Sequence, residues 1–184
     1  AKEENTMAYA DQLYEVVDKY FVQIIMPYGV KNNEAGRYLK KFMPFKRKNF
    51  DEYIEAYEKF SEAAQILTME NIEIPEDDGK AQYLKKCFYQ SQKTFCKLCE
   101  RNIALYEFQN RKEQRKEISV QELKNLFVGA QASMNSAGRD IDALEKAYKD
   151  LRLVTDPEYA KAVAEEKAAA EKAAQEKENR RGKK

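Results

Sequence analysis

Between Leu123 and Leu151 nonpolar side chains recur at alternating steps of four and three without interruption: Leu123, Phe127, Ala130, Met134, Ala137, Ile141, Leu144, Tyr148 and Leu151. That spacing puts all nine on one side of an α-helix, whereas a strand, with its period of two, would scatter them over both faces. A helix this long with a single apolar face must lay it against other helices. The chain is therefore expected to be all-α.

Composition agrees with that constraint. Six Gly and four Pro in 184 residues are too few to turn a chain every eight to twelve positions, which argues against sandwiches and barrels. A hydrophobic content of 43% is ample for a core without disulfides or metals.

The other helices follow from the same periodicity. One is predicted from about Thr6 to Ile25, with Ala10, Leu13, Val17, Tyr20 and Ile24 on its buried face and Met26-Pro27-Tyr28-Gly29 as its end. Asn33 is expected to cap a short second helix carrying Ala35, Leu39 and Phe42, which Pro44 stops. A third, about Asn49 to Thr68, aligns Phe50, Tyr53, Tyr57, Phe60, Ala64 and Leu67. Met69 to Gly79 reads as the main loop and an internal boundary.

A long fourth helix, about Lys80 to Arg115, gathers Leu84, Cys87, Phe88, Ser91, Phe95, Leu98, Leu105 and Tyr106, with Lys86, Lys93, Lys97 and Arg101 opposite. Ser119 and Glu122 have capping-box spacing at the start of the fifth. Gly129 and Gly138 inside it imply either close approach of another helix or a local kink. Asp156 and Pro157 restart a helix rich in Ala, Glu and Lys, with little to bury and a basic end at Arg180, Arg181, Lys183 and Lys184. The expected organisation is an elongated bundle over 1–154, with the fourth and fifth helices as a long antiparallel hairpin, and a charged helical tail over 155–184.

The absence of histidine removes every catalytic or metal arrangement built on imidazole. Cys96-Lys97-Leu98-Cys99 has metal or redox spacing, but it falls mid-helix without a second pair, so the thiols read as structural. No glycine-rich loop precedes a helix as phosphate cradles require. No cofactor, metal or catalytic residue is expected. Three cysteines without framework spacing point to a reducing compartment and a cytoplasmic location, and no apolar run is long enough for a membrane span. Because the chain begins at Ala1, a removed leader is left open.

A net charge of +1 demands no polyanion as partner. Locally, Lys40, Lys41, Lys46, Arg47 and Lys48 alternate with Phe42, Phe45 and Phe50 around Pro44. The mixture suits phosphate contact with base stacking, an anionic membrane surface or an acidic protein; alternatively the three phenylalanines pin helices to the core while the cations stay in water. Lys40, Lys41, Phe45, Lys46, Arg47 and Lys48 are thus the candidate contact residues. The expected function is a non-catalytic interaction or assembly module that binds a protein partner or itself through helix faces. The alternative is an accessory nucleic-acid-binding subunit using segment 40–50.

Overall fold

Four rods packed up, down, up and down form the fold, and a sixth helix leaves the last of them. The computed structural model describes the backbone of residues 2–181 and the side chains of 9–180. The helices are α1 (Lys2–Lys19), a π-helical turn (Tyr20–Ile25), α2 (Met26–Lys40), α3 (Asp51–Ile66), α4 (Gly79–Glu113), α5 (Val120–Thr155) and α6 (Pro157–Arg181), with no strand among the described residues. Of the expected basic end, the Arg181 side chain, Lys183 and Lys184 lie outside the described residues.

The antiparallel hairpin is present. Thr94 donates to Asp140 at 2.9 Å, Arg101 lies 3.8 Å from where a β-carbon on Gly129 would sit, and Arg111 pairs with Glu122 at 2.6 Å. These contacts run in opposite order along α4 and α5. At the turn, Lys116 N donates to Arg111 O at 3.1 Å and Arg115 N to Lys112 O at 3.0 Å, the paired bonds of a Schellman motif. Arg115 holds its left-handed position (φ 56°), where glycine is usual, at a cost of roughly 1–2 kcal/mol. Ser119 caps α5 by accepting from Glu122 N at 3.3 Å, but the Glu122 carboxylate goes to Arg111 instead of returning to Ser119.

The expected helix end at Met26 to Gly29 is overturned. In a regular α-helix the Pro27 ring would strike the carbonyl of Gln23. Here the helix widens just before the proline, and Met26 N donates to Phe21 O, five residues back. That wider turn makes room for the ring and keeps α1, the π turn and α2 in one rod of nearly 60 Å. Asn33 consequently caps nothing and sits mid-helix.

Aromatic packing locks this rod to α3 and α4. Tyr20 and Tyr28 meet Phe95 edge-on, with centroids 6.1 and 5.1 Å apart, and Tyr57 stacks on Tyr106 at 5.8 Å. Three tyrosine hydroxyls in this core have these partners: Tyr20 with Ser91 at 2.9 Å, Tyr28 with Asn102 at 2.8 Å and Tyr57 with Asn32 at 2.8 Å. Among the described residues no buried side-chain polar atom lacks one, as a low-dielectric core requires. Segment 67–78 is packed as well: Met69 is buried, its amide donates to Tyr89 at 2.7 Å, and Asp78 caps α4 by accepting from Ala81 N at 3.0 Å.

Close approach of another helix's backbone does not account for the glycines of α5. The helix runs unbroken past both, nothing lies within 4 Å of a β-carbon placed on Gly138, and Gly129 has only the flexible Arg101 side chain at 3.8 Å. Gly129→Ala and Gly138→Ala should therefore each raise stability by about 1 kcal/mol, through lost backbone freedom in the unfolded chain. Urea titration of the two single variants checks this; a destabilised variant would mean that a neighbour occupies the space.

Candidate interaction surfaces

Segment 41–49 lies between α2 and α3, and its two ends are tied down differently from its middle. Lys41 N closes α2 on Arg37 O at 3.0 Å, and the Lys48 ammonium donates to Leu39 O at 2.6 Å, occupying a free carbonyl at the helix terminus. Lys48 N then donates to Glu113 at 3.1 Å and Phe50 N to Asn110 at 2.8 Å, fastening the segment to the last turn of α4. Phe50 is fully buried, with its ring 5.2 Å from those of Tyr106 and Tyr38.

Between those ties the segment is free. Lys40, Lys41, Lys46 and Arg47 are exposed, Phe42 is 86% exposed and Phe45, in the turn after Pro44, is 100% exposed. The expectation that three phenylalanines pin helices thus holds for Phe50 alone. Helix α2 stops at Lys40, so Phe42 never reaches the helical face it was assigned to. Of the six candidate residues, Lys48 has a structural partner and the other five face solvent.

The basic stripe of α4 does not join this segment at its anchor. Lys86, Lys93, Lys97 and Arg101 are exposed, but the segment bonds to Asn110 and Glu113. From Arg101, the nearest of them, to Asn110 the helix advances roughly 13–14 Å. The neighbours at that end are the α4–α5 turn and its own residues: the cations Lys112, Arg115 and Lys116 and the acid Glu117, all exposed, with Ile118 at 41% and Val120 at 68%.

A second surface lies on α5, whose two halves differ. Ala137, Leu144, Ala147 and Leu151 are buried where α1 joins the hairpin, with Tyr14 edge-on to Tyr148 at 5.1 Å. Toward its start, α5 has among the described residues only α4 beside it, because α2 packs along α3. Leu123, Leu126, Ala130 and Met134 are half-buried there, Phe127 is 44% exposed and Val128 69%. The uncovered stripe therefore has a topological origin; the N-terminal rod is as long as the hairpin and is simply committed elsewhere. Residues 125–138 also contain no charged side chain, in a protein that is 35% charged.

A third feature escaped periodicity altogether. An open cleft of about 660 Å³ lies where α1, α5 and α6 meet, lined by Asp11, Tyr14, Asp18, Tyr148, Arg152 and Asp156 among others. Arg152 pairs with Asp156 at 2.9 Å and lies over the rings of Tyr159, Tyr148 and Tyr14 at 4.3, 5.7 and 5.9 Å. Asp156 accepts from Tyr159 N at 3.0 Å, which caps α6; that bond, with help from Arg152, holds its carboxyl below the usual range. Tyr148 donates to Asp18 at 2.9 Å, and burial together with that bond pushes its phenol up to about 12. The groups satisfy one another, so the cleft acts as the joint from which α6 departs. Beyond it α6 is almost wholly exposed, and among the described residues its backbone approaches only α5.

The three thiols, Cys87, Cys96 and Cys99, are free and buried, and burial pushes that of Cys99 well above the ordinary range. Among the described residues no three His, Cys, Asp or Glu side chains converge as metal ligands would, and no helix is long and apolar enough to cross a membrane. No family model, no curated protein and no solved structure matches the chain.

Proposed function

We propose that the protein is a non-catalytic assembly module that pairs with a second copy of itself through the α5 face spanning 125–138. The observation that carries this reading is the coincidence of three properties on one helical stretch: it is uncharged, it is left open by the rest of the chain, and it exposes Phe127 and Val128. Interface cores are depleted of charge and enriched in aromatic residues, as this stretch is around Phe127. Two copies meeting on one two-fold axis would satisfy both faces at once. The three free buried thiols support operation in a reducing compartment such as the cytoplasm.

Phe127→Glu tests the reading, since it puts a charge into the proposed contact without touching the buried half of α5. The variant should stay monomeric at concentrations where the unmodified chain associates, with helicity retained and melting lowered in dilute solution only by the loss of the part of Phe127 that packs on α4. Equal association by both proteins would overturn the assignment of this face. A different protein as partner remains the same class of function with another occupant. The nucleic-acid reading rests on other residues, Lys40, Lys41, Lys46 and Arg47, and competes with the inference that follows.

A further inference from the structure

We propose that the end of the bundle formed by segment 41–47 and the α4–α5 turn docks on an anionic lipid surface. Between Ala35 and Phe50 the sequence has six basic residues and no acid. Among the described residues no carboxylate pairs with Lys40, Lys41, Lys46 or Arg47. The bonds of Lys48 N to Glu113 and Phe50 N to Asn110 bring this segment to the α4 terminus, where Lys112, Arg115 and Lys116 are also exposed. Arg115 adds its charge from a backbone position that glycine ordinarily takes.

The nonpolar residues at this end select the occupant. Phe42 and Phe45 project into solvent at 86% and 100% exposure, and Ile118 and Val120 are exposed on the adjoining turn. Base stacking draws on aromatic rings and gains nothing from isoleucine or valine. A bilayer interface takes aromatic and aliphatic side chains alike, while lysine and arginine beside them meet lipid phosphates and carboxylates. Each basic residue near an anionic leaflet contributes about fivefold in partitioning. Charge and apolar side chains therefore converge on one kind of partner, and α5 face 125–138 plays no part in it.

The test is co-sedimentation of the full chain with vesicles of phosphatidylcholine alone and of phosphatidylcholine mixed with phosphatidylserine, alongside a single-stranded oligonucleotide. The chain should be captured by the phosphatidylserine vesicles, much less by phosphatidylcholine alone, and less as salt rises. The double variant Phe42→Ser/Phe45→Ser, with its charge unaltered, should bind at least about tenfold more weakly. Lys40→Gln/Lys41→Gln/Lys46→Gln/Arg47→Gln should lose capture almost entirely. All these side chains are exposed, so an unchanged melting temperature confirms that the variants fold. Absence of capture at low salt would overturn the proposal, as would capture indifferent to the two phenylalanines. Phenylalanine-dependent binding to the oligonucleotide without vesicle capture would overturn it in favour of nucleic acid. Self-association is read separately, from mass without vesicles, so either idea can fail alone.

Discussion

Phe95→Ala should cost the fold about 3–5 kcal/mol, read as a shift of the urea midpoint at unchanged slope. Phe95 is fully buried where the N-terminal rod crosses α4, and its ring meets both Tyr20 and Tyr28. Truncation opens a cavity bordered by two tyrosines whose hydroxyls are fixed by Ser91 and Asn102, so the walls cannot collapse without breaking those bonds. The loss is the transfer term plus most of the cavity term. Phe45→Ala is the matched control: the same atoms are removed from a side chain that touches nothing, and stability should change by less than about 0.5 kcal/mol. A mild effect at Phe95 would mean that the rod and α4 do not share a tightly packed core.

Alkali should unfold the protein in one steep step above pH 10. Burial raises the phenols of Tyr20, Tyr28 and Tyr57 far above their ordinary value, and those of Tyr9 and Tyr148 to about 12. In the unfolded chain the same groups ionise near pH 10. Between the two values the folded state holds protons that the unfolded state has lost, so stability falls as pH rises. Each tyrosine kept neutral contributes about 1.4 kcal/mol per pH unit to that slope, and the three core tyrosines alone about 4. Below pH 10 their contribution is fully present and flat. Tyrosinate absorbance from the core residues should thus appear together with loss of helical ellipticity. Ionisation of all tyrosines while the helices persist would show that this aromatic cluster is open to water.

Periodicity was a sound guide wherever a helix buries one face of its own. The stripe of α4 from Leu84 to Tyr106 is buried residue for residue, and Asp156 caps α6 as its place before Pro157 implied. Legibility failed where two rules competed at one position. Pro27 is a helix breaker by local chemistry, but a π turn removes the clash while Tyr28 and Ala35 continue to bury, and tertiary packing wins. Phe42 has the right spacing for a core face, yet the pull of Pro44 on the preceding backbone ends the helix first, which turns an expected anchor into an exposed ring.

The candidate surfaces were legible to different degrees. The cations of segment 40–48 could be found from sequence, whereas the use of Lys48 on the Leu39 carbonyl depends on a fold-back that no spacing encodes. The stripe of α5 was visible in full, but its division into a buried and an open half depends on which helix α2 chooses to lie against. The absence of charge over 125–138 was readable all along and is a better sign of that division than periodicity. Arg152 stands in a helix among many charges, and the three aromatic rings around it come from α1, α5 and α6.

On the proposed function, a second copy covers the first half of α5, which its own chain leaves open. Sedimentation equilibrium of the unmodified protein over a range of concentrations tests this most directly. The mass should climb from 21.5 kDa in dilute solution toward about twice that value. A mass fixed at 21.5 kDa from the lowest to the highest concentration would contradict it.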